Sequence, residues 1–232
     1  MKARDLMGLH LLAALAFPLA VFAQGAPPAD YAVVSLIGDR FTVAGQKTYA
    51  TPVDGAIVDA VAAAIAKEEL DKELPGASVV LAVVREPAVY AAQEQVLALT
   101  QETQSLIDAL EPVISKLDAR KLVLISKIRA PVKILFTDAD LDRAGMLEGV
   151  GFYVAAGEHP YLGVFAHVRV SLVDLKTRRV EDEEKIVTTV AIRDPRKNPW
   201  DSLTAEQKAH DLKDITTREL RKAMPRLLSR AH

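Results

Sequence analysis

Cysteine is missing from all 232 residues of the chain. Its absence excludes disulfides, thiolate metal centres, a cysteine nucleophile and the lipidated cysteine of a bacterial lipoprotein. Charge of one sign is missing too. Twenty-nine basic residues face 31 acidic ones, a net charge of −2. Such a balance makes no field that attracts nucleic acid or an anionic membrane surface. The five histidines show no HExxH or helical pairing. Nucleophile-elbow and phosphate-loop patterns are absent, as are internal repeats and low-complexity tracts. No cofactor is expected from the residues.

One long hydrophobic run is present, at the N-terminus. Lys2 and Arg4 precede "LMGLHLLAALAFPLAVFA", and Val21 and Ala23 satisfy the small-residue rule before Gln24. This is the pattern of a cleaved export signal. Pro18 and the run's length argue against a core helix or a membrane anchor. Residues 1–23 are therefore expected to be removed. The remaining 24–232 is long enough for a single domain with a sizeable core. Its 27 basic and 30 acidic residues carry a net −3. An exported chain without disulfides holds itself together by burial, and its expected place is the periplasm or the exterior, with no stable membrane span after cleavage.

Periodicity then divides the chain. "YAVVSLIG" (31–38) and "SVVLAVV" (78–84) read as buried strands, with "RFTVAG" as a short return. "TPVDGAIVDAVAAAIAKEELDKEL" reads as a helix capped by Thr51, with Pro52 at its first position and Asp54 completing a capping box. From 89 to 117, Val89, Ala92, Val96, Leu99, Thr103, Leu106, Leu110, Val113 and Leu117 follow steps of three and four. The run suits one amphipathic helix lying on a sheet, bent or restarted at Pro112. The competing use is a coiled-coil dimer seam, and the monomer is favoured. Strands follow at 121–128, 130–136, 149–154, 162–175 and 180–193. In the fourth, Val164, Ala166, Val168, Val170 and Leu172 alternate with His167, Arg169 and Ser171, which predicts a sheet covered on one side, with His167 on the surface. Thr204 and Gln207 cap a last helix from 205 to about 224. The expected fold is α+β, a mixed or mainly antiparallel sheet with amphipathic helices packed on one face.

Candidate chemistry is thin. Asp138, Asp140 and Asp142 stand at alternate positions, as in a calcium loop. Such a loop needs Gly at its sixth place and Glu at its twelfth, and these are Arg143 and Gly149. A solvated turn is expected, and no metal site. "SLIGDRF" (35–41) resembles the Gly-Asp-Ser-Leu block of secreted esterases, but Arg40 stands where the nucleophilic Ser belongs. The family's Asp-x-x-His is missing as well, since Ala156, Val164, Gln207 and Ser229 precede the mature histidines. "GVG" (149–151) suggests a close approach of backbones. Arg129 and Glu148 sit beside apolar runs, where an ion pair is the simplest use of them. A ligand groove, if built, is expected around Asp39, Arg40, Arg129 and Glu148.

"VRVSLVDLKTRRVEDEE" resembles a hairpin of the TolB N-terminal domain and of the curli-secretion lipoprotein family, with Arg178 where those carry Gly. "ISKIRAPVKI", "GMLEGVGFYV" and "PWDSLTAEQK" resemble blocks of an uncharacterised family of secreted proteobacterial proteins. That resemblance implies an exported α+β domain and brings no catalytic residue with it. The functional expectation is a periplasmic binding or envelope-assembly module whose partner is an envelope protein or a small ligand. The alternative is a hydrolase with a carboxylate site built from Asp39 and Glu148.

Overall fold

A computed structural model describes residues 27–38, 40–44, 49–52, 57–100, 102–131, 146–155, 161–193 and 203–230. The fold is built around the hairpin of β8 (Tyr161–Asp174) and β9 (Arg179–Arg193). β9 pairs antiparallel with β8 from Leu162 to Asp174 along one edge. The other edge of β8 is shared end to end. β5 (Ala119–Lys127) pairs with its second half, Val168 to Asp174, and β7 (Met146–Ala155) with its first half, Tyr161 to His167. Next to these, β1 (Ala29–Leu36) runs parallel to β5, and β2 (Arg40–Ala44) runs parallel to β7. β4 (Val79–Ala82) and β3 (Tyr49–Pro52) complete the path as its two ends. The result is one mixed sheet, and the α+β class holds.

Where β5 stops and β7 starts, the chain leaves the sheet. β6 (Arg129–Pro131) pairs antiparallel with the first residues of β7, from Arg129↔Glu148 to Pro131↔Met146, as a short ribbon. Gly149 turns this ribbon into the sheet at φ +69°, a region that favours glycine.

Helices cover both faces of the sheet, a correction to the expected single covered face. On one face, α1 (Ile57–Glu73) and α5 (Ala205–Arg230) pack over Val33, Val123, Phe152, Val164, Val168 and Val170. α1 buries Val58, Ala62, Ala66 and Leu70, a stripe at helical spacing whose alanines admit α5 closely. α5 buries Leu212, Ile215, Leu220, Met224 and Leu227. The capping box forms as expected: Thr204 N–H donates to Gln207 at 2.9 Å, and Gln207 N–H to Thr204 Oγ at 3.2 Å. The helix runs past Pro225 because its last turn is anchored twice. Leu227 and Leu228 are buried, and Arg226 and Arg230 pair with Glu184 and Asp182.

On the opposite face, α2 (Pro87–Leu99), α3 (Thr103–Ala109) and α4 (Glu111–Ile114) cover Ala32, Val34, Leu36, Leu122, Leu124 and Val173. These three replace the single helix expected from 89 to 117. The break falls after Thr100, whose N–H closes α2 on the Val96 carbonyl, and Pro112 starts α4. Val89, Leu106 and Leu110 are buried within the chain, while Leu99 is 74% exposed. The steps of three and four thus span short helices that turn independently onto the sheet, and they form no continuous seam.

Three further expectations change. Thr51 and Pro52 belong to β3, and α1 begins at Ile57. β2 does not return on β1 but runs on past its end beside β7. β4, expected to be buried, pairs among the described residues with β1 alone, and Leu81 within it and Val83 just after it are exposed. At the β8–β9 turn, Arg178 takes φ +58°, the conformation that a Gly supplies without strain. Asp138, Asp140 and Asp142 lie outside the described residues.

Candidate functional site

Of the four residues expected to line a groove, the structure joins two. Arg129 and Glu148 face each other across the ribbon, and Arg129 Nε and Nη2 donate to one carboxylate oxygen at 3.2 and 2.9 Å. Arg40 is exposed at the head of β2, in register with Pro52. Asp39 lies outside the described residues. The ion pair extends inward, since Glu94 of α2 lies beside Glu148 and accepts from Lys127 Nζ at 2.8 Å. Burial raises the Glu94 carboxyl, and the bond and charge of Lys127 together with its neighbours Glu148 and Arg129 outweigh it, so that its net displacement is downward.

Beside this pair lies a groove of about 580 Å³. Thr100, Glu102, Thr103 and Gln104 form one wall, and Ile128 and Arg129 the other. Arg169 of β8 and Glu183 and Lys185 of β9 form the floor. Period-two alternation explains the floor: Arg169 is opposite Lys185, and Ser171 opposite Glu183, on the face away from α1 and α5. Thr103 ties floor to wall. Its hydroxyl donates to Glu183 at 2.6 Å and accepts from Arg169 Nη1. Glu183 lies 3.5 Å from Arg169 and 3.3 Å from Lys185.

The two partners at the centre respond differently. Burial lowers the Arg169 guanidinium, against the pull of Glu183. Burial raises the Glu183 carboxyl, but the Thr103 bond and the two cations bring it below its ordinary value. Depth accounts for the difference, since the Arg169 side chain is 7% exposed and that of Glu183 32%. Arg169 keeps its proton at any physiological pH.

His167, expected on the surface, is fully buried at the point where β5 gives way to β7. Its carbonyl accepts from Ile128 N–H at 3.0 Å. Its ring Nδ1 is 3.1 Å from the Leu147 carbonyl, so Nδ1 carries the proton and Nε2 is a bare acceptor. Among the described residues Nε2 has no hydrogen-bond partner. Burial lowers its pKa, and the Leu147 bond only partly opposes this.

Reading β8 as a strand with one wet face hid these residues. The usable signal was a match between elements: polar positions 167, 169 and 171 of the strand, and Gln93 and Thr103 at inward places in the helical region. All five are buried. Among the described residues no cluster of His, Asp and Glu is arranged to hold a metal ion. No helix among them is long and apolar enough to cross a membrane.

No protein-family model matches the chain, and no curated protein matches it. Solved structures do. PelC, a dodecamer from Paraburkholderia phytofirmans, is 14% identical, with 87% of this chain and 93% of that chain covered and a TM-score of 0.34. A DUF330 protein from Xanthomonas campestris is 10% identical, with 85% and 86% covered and a TM-score of 0.34. The C-terminal domain of LpoB from Salmonella enterica is 13% identical, with 74% and 88% covered and a TM-score of 0.20. Likeness at this distance assigns no function to the chain.

Proposed function

We propose that the protein is an exported, non-catalytic binding module of the bacterial envelope. In this reading it is cut after Ala23, folds as one monomeric domain from residue 24, and uses the groove over β8 and β9 to hold an acidic, partly apolar segment of an envelope protein. The observation that carries the reading is Arg169, a permanent cation held nearly out of solvent on the groove floor. Arg129, Arg169 and Lys185 line the groove with Glu102 and Glu183, and Glu148 stands beside it paired to Arg129. These cations favour an anionic partner at that spot. Apolar side chains stand close by. Leu99 precedes the wall residue Thr100, Val187 follows Lys185 on the same side of β9, and Met146 precedes Glu148 on the ribbon; all three are exposed. Arginine is among the residues enriched in binding hot spots.

The hydrolase reading has less support. It needs Glu148 as a working carboxylate, and that group is engaged by Arg129.

The test is fluorescence polarisation with a labelled peptide of alternating Glu and Leu. Binding should be saturable, weaken at high salt, and weaken at least tenfold in Lys185→Glu. It should be unchanged in Lys116→Glu, outside the groove. Equal binding by the two variants, or none by the wild type, overturns the reading. Export is tested separately, by an N-terminus at Gln24 in the periplasmic fraction.

A further inference from the structure

A second polar centre lies away from the groove, at the first turn of α1. Asp59 is half-buried between β1, α1 and α2, and several donors converge on it. Ser35 Oγ donates to Oδ1 at 2.5 Å, and the Gly38 N–H donates to Oδ2 at 3.0 Å. The Tyr90 oxygen is 3.0 Å from the same Oδ2. That oxygen is also 3.1 Å from the carbonyl of Val84, in the connection between β4 and α2. A phenol has one proton. It can be given to Asp59 or to Val84, not to both at full strength.

The proton count decides which. Ionised Asp59 can only accept, so Tyr90 donates to it, and the Val84 carbonyl is left without that bond. When Asp59 takes up a proton from solvent, Oδ2–H can donate to the Tyr90 oxygen. The Tyr90 proton then turns to the Val84 carbonyl. One proton enters, no covalent bond other than the new O–H changes, and both neighbours are satisfied. We propose that Asp59, Tyr90 and Val84 form a proton-operated latch that fastens the β4–α2 connection in acid and loosens it at neutral pH.

Other facts agree. Burial raises the Asp59 carboxyl, and the bonds from Ser35, Gly38 and Tyr90 reduce this without reversing it. Among the described residues the main causes of this shift are burial and these hydrogen bonds, and none of them is a charge. Two charged groups on neighbouring elements have partners of their own. Lys127 of β5, which approaches Gly38, pairs with Glu94 of α2. Glu86 of the connection is bonded to backbone amides, chiefly its own and that of Arg85, and lies in the field of Lys116. Those bonds lower Glu86, whereas burial raises Asp59. The latched connection borders the exposed Val83, and α2 also carries Gln93, which bonds the Leu36 carbonyl at 2.7 Å and the Lys127 N–H at 3.0 Å.

The experiment is a pH titration of the labelled chain that follows the Asp59 carboxyl carbon and the amide-exchange protection of residues 84 to 90. It uses no ligand, so its outcome is independent of the groove. In the wild type the carboxyl should titrate above the ordinary range, and protection of 84 to 90 should fall several-fold in the same step as pH rises. In Tyr90→Phe the carboxyl should still titrate while the protection no longer follows. In Asp59→Asn the protection step should vanish. A carboxyl that titrates at its ordinary value, protection that ignores its titration, or coupling that survives in Tyr90→Phe each overturns the latch.

Discussion

Gly151→Ala is the sharpest test of how the two half-sheets are joined. Gly151 of β7 is in register with Thr42 of β2. A methyl group built on it would lie 2.0 Å from the Thr42 carbonyl oxygen and 2.8 Å from the Phe165 ring. The first neighbour is backbone and the second a fully buried ring, so neither can yield cheaply. β2 must be displaced, and with it the buried Phe41 and Val43 and the strand β3 that pairs with it. Forced repacking costs about 1–3 kcal/mol, and each strained ladder bond adds about 1 kcal/mol. A loss of about 3–5 kcal/mol is expected, a large part of a domain's whole stability. Gly149→Ala is the control. It meets flexible Lys127 methylenes at 3.2 Å and takes φ +69°, so its cost is mostly backbone strain of about 1–2 kcal/mol. Urea unfolding followed by circular dichroism measures both. A loss under about 1 kcal/mol in Gly151→Ala, well below the overpacking range, or a larger loss in Gly149→Ala, would refute the junction as described.

Leu106→Asp places a carboxylate at a buried position of α3; it should abolish cooperative melting of a chain that light scattering shows to be monomeric, whereas a folded monomer derived from a wild-type dimer would restore the coiled-coil use of the run. His167 is buried and neutral with a lowered pKa, so the unfolded chain binds its proton more readily; His167 should subtract stability as pH falls below about 6.5, its ordinary value, and His167→Gln should flatten that slope in melts taken across the range. Arg178→Gly relieves the strain of φ +58° but adds chain entropy and removes the exposed pair with Glu111; these terms nearly cancel, and a change within about 1 kcal/mol is expected in denaturant unfolding.

The strands and helices with clear periodicity are determined locally. β1, β5, β8, β9 and the start of α5 can be read from the residues within one or two positions, because alternation and capping are properties of neighbours in the chain; the end of α5 at Arg230 lies six residues past the expected 224. Gly151 is legible in the same way, since a bare residue amid buried ones signals a close approach. How the elements combine is not local. Nothing in β8 by itself distinguishes a wet face from one covered by α3 and the ribbon, so His167 and Arg169 read as surface residues. Steps of three and four between 89 and 117 are equally compatible with one helix or with three, and the choice rests on the sheet below. Arg129 and Glu148 could be picked out by their odd placement, but their pairing depends on β5 and β7 meeting along one edge of β8. Asp59 gave no sequence signal at all. Its environment is assembled from Ser35, Gly38, Val84 and Tyr90, residues 21 to 31 positions away, and only burial in the folded chain turns an ordinary first-turn aspartate into a group whose proton matters.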